Sequence, residues 1–240
     1  MAATATLTAA EIIDRMHLTA KVTIQVRRHL CGGTPKNPDT IAKWIEAVVK
    51  DKSAVRDLAE QARRDMGTDD LTPEQISEMA KGSWNGFRSD EQGLFLEARC
   101  VKALLKESAD AVGRKLGVWA LKKQIAERMF VTGHAVYLGR GEPDGFVEGT
   151  IHLEDRFGGS MAALKRVDYV EAPRLIFHVR LLDLPYQTSS SAPGGKKIIQ
   201  PLDMLAVLLH HGQDLGLGAD RSQGEGTYDV ESIEVVDLTR

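Results

Sequence analysis

No stretch of this chain approaches the roughly 20 consecutive apolar residues that a membrane-spanning helix needs, so a membrane protein built of such helices is not expected. The only two cysteines, Cys31 and Cys100, form no CxxC or Cys/His metal spacing, which excludes a zinc ribbon and a disulfide framework and predicts reduced, mostly buried thiols. There is no excess of positive charge either: 31 Lys and Arg face 34 Asp and Glu, for a net charge of −3. Any contact with a polyanion must therefore come from a local positive surface. There is no GK[ST] phosphate loop, no carboxylate pair at acid/base spacing, no assignable Ser-His-Asp set, no internal repeat and no heptad run. Met1–Ala10 lacks a basic segment followed by an apolar one and reads as a frayed tail, not a signal peptide. Together these absences predict a cytoplasmic protein without cofactor or metal. At 240 residues and 42% hydrophobic content, one domain spanning 1–240 with insertions is expected.

What is present begins with alternation. In Lys21–Leu30, Val22, Ile24 and Val26 oppose Thr23, Gln25 and Arg27, with His29 continuing the polar side, as in a half-buried strand. A Gly/Pro loop follows, and Asp39 is placed to cap a helix running to about Met66. Thr72-Pro73-Glu74-Gln75 carries the signature of a second helix start. A helical insertion over 33–93 is thus predicted, closing with a turn-rich loop at Ser83–Gly93. Glu97–Val112 reads as a helix with Val101, Leu104, Leu105, Ala109 and Val112 buried. Arg99, Lys102 and Lys106 share its basic face, and Gly113 ends it. Val118–Phe130 is a further amphipathic candidate. Phe146–Glu154 and Arg174–Asp183 alternate again; in the latter, Leu175, Phe177, Val179 and Leu181 oppose His178 and Arg180. Residues 131–173 and 185–198 are predicted as loop or hairpin insertions, the second a mobile Ser/Pro/Gly loop. Pro201 opens a helix with Leu202, Leu205, Leu208 and Leu209 buried, and Gly226–Val236 closes as a strand. The class is α+β, and without insertions the order approximates β-α-β-β-α-β, the ferredoxin-like unit.

One segment carries a chemical signal: Gly216-Leu217-Gly218-Ala219-Asp220-Arg221-Ser222-Gln223-Gly224-Glu225-Gly226-Thr227-Tyr228. Its glycines permit positive φ and close backbone approach, exposed N–H groups can cradle phosphate oxygens, and Arg221 offers a forked cation, with Ser222 a further donor. The segment is no dinucleotide fingerprint, because Arg221 stands where the last glycine belongs and the loop leaves a helix for a strand. The alternative is a long turn in which the glycines serve geometry alone.

The pattern Gly-x-Gly-x-x-Arg-Ser-x-Gly-x-Gly-x-aromatic, between a helix and a final strand, resembles the glycine-rich signature of the RAMP superfamily. Gly93–Lys106, a short apolar approach into a helix with a small-residue, Lys and Ala pattern, resembles a second feature of those proteins. The resemblance implies an RRM-like core in an RNA-binding protein of a CRISPR effector, most closely the backbone subunit that multimerises along guide RNA. It implies single-stranded RNA and further copies of the chain as partners, with other effector subunits beside them and single-stranded DNA as the alternative ligand. Gly216, Gly218, Arg221, Ser222, Gln223, Gly224 and Gly226 would then meet the nucleic acid, together with Arg27, Lys36, Arg99, Lys102, Lys106, His178 and Arg180. For each of these cations, a solvated or structural role is the competing reading. The polar strand faces lack aromatics for base stacking, which favours backbone-dominated binding. No catalytic residue is expected, although in some RAMP backbone subunits an aspartate after the first strand cleaves target RNA, and Asp39 lies in that region. A phage structural or assembly protein reusing the fold is the remaining alternative.

Overall fold

The computed structural model describes residues 16–36, 83–154, 160–190 and 195–236. The predicted helices between Asp39 and Gly82, Asp39 itself, the N-terminal tail and the centre of the 185–198 loop lie outside the described residues.

The central element is an antiparallel sheet of β1 (His17–Val26), β7 (Met129–Val131), β11 (Arg174–Leu182) and β14 (Tyr228–Val236), in the order β14-β1-β11-β7. Alternation explains why β1 and β11 sit at its centre. Ala20, Val22, Ile24 and Val26 of β1, and Leu175, Phe177, Val179 and Leu181 of β11, all point to one face and are buried. Their register pairs Val22 with Phe177 and Ile24 with Leu175. Two helices cover that face. α1 (Ala98–Leu116) contributes Val101, Leu104, Leu105 and Ala109, and α3 (Pro201–Gly212) contributes Met204, Leu205, Leu208 and Leu209. Each fully buried aliphatic side chain contributes roughly 1.5–3 kcal/mol, so this layer is the main source of stability. Tyr228 lies in the same core, its hydroxyl donating to the Leu209 carbonyl at 2.8 Å; burial raises its pKa well above the ordinary phenol value. In chain order the elements on this sheet run strand, helix, strand, strand, helix, strand, a mixed α+β arrangement.

Several boundaries differ from expectation. The first strand stops at Val26. Its predicted continuation, His29–Cys31, is a separate strand, β2, in a second sheet, so His29 does not lie on the polar face of β1. Gly113 does not end the first helix: it is buried inside α1, where an added Cβ would lie 3.1 Å from Leu121 Cβ. The left-handed cap is Gly117, φ 65°. A short helix, α2 (Leu121–Arg128), replaces the longer one predicted over Val118–Phe130, because Met129–Val131 leaves it to form β7 beside β11.

Ser83–Gly93, predicted as a loop within a helical insertion, instead forms β4 (Ser83–Gly86) and β5 (Arg88–Asp90), and Gly93–Glu97 is β6. β5, β6 and β8 (Ala135–Tyr137) make a small sheet in front of α1. The second sheet is organised around β10 (Ser160–Glu171). β9 (Gly145–Glu154) pairs along its length as a long hairpin, while β2 and β4, the latter joined by β3 (Thr34–Pro35), pair with its C-terminal half. The 131–173 insertion, expected as loop or hairpin, contains this hairpin and β8. The 185–198 segment is anchored at both ends: β12 (Tyr186–Gln187) pairs with β13 (Ile198–Ile199), and Tyr186 is buried.

Candidate nucleic-acid interface

The glycine-rich loop leaves α3 and enters β14, and its shape follows from close approach. Gly226, at φ 73°, has the Leu217 carbonyl oxygen 1.8 Å from where a Cβ would sit; Gly218, at φ 78°, has the Cys31 carbonyl oxygen at 2.4 Å. Neither position admits another residue. Most of the loop's N–H groups are consumed internally: Leu217 donates to Gly226, Ala219 to Cys31, Gly224 to Arg221 and Gly226 to His29. Gly216, φ 76°, is also closely packed, against the Glu225 carbonyl oxygen at 2.7 Å, whereas Gly224, φ 84°, faces open space. The backbone cradle expected here is thus mostly a knot that ties α3, β2 and β14 together.

The cations around the knot are matched. Arg221 Nη1 donates to Glu107 of α1 at 2.7 Å. Arg27 reaches Asp214 at 3.0 Å and Asp229 at 2.8 Å, and that contact holds the Asp229 carboxyl below the usual range. Lys165 of β10 pairs with Asp220. Ser222 and Gln223 are exposed in a single 3-10 turn, Arg221–Gln223. Lys36 does not project freely from its loop: its Nζ lies 2.6 Å from the buried Asp168.

The predicted basic face of α1 breaks up as well. Lys102 turns inward, and its ammonium donates to the carbonyls of Ile125 at 2.8 Å and Ala126 at 3.0 Å, and to that of Met129. The reason is the C-terminal end of α2, where orphan carbonyls attract a cation. Burial, and then the neighbouring Lys106, lowers the Lys102 pKa. Arg99 is exposed and pairs with Glu97, which also accepts from Arg88 at 2.8 Å. Lys106 is half-buried on the next turn. His178 and Arg180 lie on the open face of the central sheet, in register with Lys21 and Thr19.

A cleft opens at the N-terminal end of α1. It has a volume of about 450 Å³ and is lined by Arg88, Arg99, Lys102, Phe130 and His134 among others. A smaller crevice of about 100 Å³, lined by Gly33, Thr34, Gly86, Cys100 and Gly218, shares Phe95, Glu97 and Arg99 with it. The two adjoin at those three residues and are taken together as a groove between the glycine knot and the mouth of α1. The helix starts there at Glu97 without a side-chain cap, and its first N–H, that of Ala98, donates to the His134 carbonyl at 2.9 Å, so an anion would meet the positive end of the dipole beside the Glu97 carboxylate. Phe130 stands at the far end, 38% exposed, with the Lys102 ammonium 5.1 Å and the Arg180 guanidinium 5.7 Å from its ring centroid. Cys100 borders the crevice, and burial raises its thiol pKa, which argues against a thiolate nucleophile.

The structure therefore brings Gly218, Arg99 and Lys102 to one groove, with Arg180 beside it, and leaves Arg27, Lys36 and Arg221 in ion pairs outside its lining. Sequence reasoning missed Arg88, Phe130 and His134. Arg88 sits in a segment read as loop, and Phe130 at a supposed helix end. Among the described residues no group of His, Cys, Asp and Glu is placed to hold a metal ion, and no helix is long and apolar enough to cross a membrane.

No family model matches the chain. No curated protein matches it. Among solved structures it is similar to a chain from the cryo-EM structure of the Type III-B Cmr-beta bound to cognate target RNA, with a TM-score of 0.45 and 11% identity. The match covers 95% of this chain and 64% of that one, so this protein spans less than two thirds of the length of the chain it resembles.

Proposed function

We propose that this chain is a non-enzymatic subunit that binds single-stranded RNA and assembles in copies along it, with the phosphate backbone in the groove between the glycine knot and the mouth of α1. The observation that carries this reading is the groove itself: the start of the 19-residue α1 opens onto Arg88, Arg99 and Lys102, and Phe95, Glu97 and Arg99 also line the adjoining crevice at Gly218. A helix end of this kind with converging cations suits phosphate oxygens. The element order and the sheet order β14-β1-β11-β7 support an RRM-like core. The open sheet face adds Arg180 and His178, with Lys21 beside Glu234 in register. Arg221, Ser222 and Gln223 would act at its rim, with Arg221 exchanging Glu107 for phosphate. Copies of the chain, and other subunits of an effector complex, are the proposed partners.

The test is a titration of the full chain with labelled single-stranded RNA at two salt concentrations, alongside Arg99→Gln. A charge-assisted hydrogen bond is worth roughly 1.5–3 kcal/mol, so affinity should fall about 10- to 100-fold and the salt slope by about one unit. Light scattering on RNA of increasing length should show mass rising in subunit steps. RNA affinity unaffected by Arg99→Gln in a folded variant would refute the groove; RNA-bound mass fixed at one subunit would refute the assembly.

A further inference from the structure

The second sheet has two faces. On the one turned toward the glycine knot, Lys165 reaches Asp220, Val167 is buried, and Tyr169 lies with its ring centroid 4.2 Å from that of His29. On the other face, Arg166 sits beside Trp84 in parallel register, and Asp168 beside Phe146 in antiparallel register. The Arg166 guanidinium lies 4.1 Å from the Trp84 ring centroid and 3.5 Å from that of Phe146. The Lys36 ammonium is 5.3 Å from the Trp84 ring. Cations and rings thus alternate: Lys36, Trp84, Arg166, Phe146.

The charges on this ladder are not evenly balanced. Asp168 accepts from Lys36 at 2.6 Å and from Trp84 Nε1 at 2.8 Å, which uses both its oxygens. Glu148, opposite Arg166 in register, forms no ion pair with it. The Arg166 Nε is buried without a hydrogen-bond partner. A guanidinium between two rings keeps its N–H groups for ligands, and these suit an oxyanion. Phe146 closes the ladder and is 47% exposed.

We propose that this ladder is a second nucleotide site, in which a base stacks on the exposed side of Phe146 and the adjoining phosphate takes the edge of Arg166. The inference rests on the RNA-binding reading but uses a different sheet from the groove. A ring on Phe146 continues the alternation, and ring–base stacking tolerates any base. An acidic peptide would satisfy Arg166 and leave Phe146 uncovered. Backbone-dominated binding at the groove is thus joined by a stacking contact.

The experiment uses the full chain, single-stranded RNA carrying 2-aminopurine at successive positions, and the variants Phe146→Leu and Arg166→Gln. Phe146→Leu should weaken binding about tenfold, leave the salt slope unchanged and abolish a quench of 2-aminopurine seen with the parent protein. Arg166→Gln should lower the slope by about one unit. Removing the centre of the ladder risks misfolding, so melting temperatures are measured and a folded Phe146→Leu variant decides alone. If that variant binds and quenches like the parent while Arg99→Gln is impaired, the ladder is not a nucleotide site and the groove stands. If the parent protein binds no RNA, both readings fall. Loss of affinity for an acidic peptide only would also overturn the nucleotide assignment.

Discussion

The glycine knot and the mouth of α1 treat positive charge differently. Around the glycine knot, Arg27, Lys165 and Arg221 each have carboxylate partners, in Asp214 and Asp229, Asp220, and Glu107. At the mouth of α1, one carboxylate, Glu97, serves both Arg88 and Arg99, and the Lys102 ammonium donates to carbonyl oxygens beside the Phe130 ring. The segment most conspicuous in the sequence is therefore a shape-forming device, and the more exposed Arg99 lies on the helix packed beside it. A glycine motif can support binding without touching the ligand, by holding the wall against which a helix end opens.

The contrast is broken most forcefully within the motif itself. Gly226→Ala forces a Cβ into the Leu217 carbonyl at φ 73°, and should cost roughly 3–5 kcal/mol by urea denaturation, the range of severe core and backbone lesions. Gly224→Ala shares the positive φ but meets nothing within 4 Å, so only the left-handed penalty of about 1–2 kcal/mol applies. Equal losses would show that the loop is not a knot.

A smaller effect separates the two regions in binding. Arg221→Gln should weaken single-stranded RNA binding less than Arg99→Gln, by about threefold against tenfold or more, because both arginines are paired but Arg99 lines the groove and is the more exposed. Its stability should change by under about 1 kcal/mol, as for exposed ion pairs. A larger loss for Arg221→Gln in RNA titrations would return the primary phosphate contact to the loop.

The part of this arrangement written in local sequence was readable. Period-two alternation located β1 and β11, and the stripe Val101, Leu104, Leu105, Ala109 and Val112 located α1, because burial on one face leaves a periodic trace. What was not readable depended on distant partners. On a helical wheel Lys102 joins Arg99 and Lys106, yet it sits next to buried Val101, and its long stem swings to the carbonyl end of α2. Arg221 and Lys36 look free until Glu107 and Asp168 arrive from 114 and 132 residues away. Short strands such as Arg88–Asp90 carry too few residues to show a period, which hid Arg88 in a supposed loop.

The smallest effect concerns Glu97, the shared carboxylate at the mouth of α1. Burial raises its pKa, but hydrogen bonds from Arg99 and Arg88 outweigh that and hold it below the ordinary carboxylate value. A depressed folded pKa means that the ion pairs contribute stability fully above the unfolded value, near pH 4.3, and lose it as pH falls through the folded one. Glu97→Gln removes this dependence, so its stability curve should be flatter than the parent's below about pH 4.5, with a loss near neutrality of under about 1 kcal/mol. The same substitution releases Arg88 and Arg99 from their shared acid. RNA affinity should then rise a few-fold at neutral pH, which sets this variant apart from every other change in the groove. If Glu97 instead orients Arg99 for the phosphate, affinity falls along with stability. Denaturation between pH 3 and 7 and RNA titrations on the same variant separate the two roles: a rise in affinity marks Glu97 as a competitor of the phosphate, and a fall marks it as the group that aims the arginine.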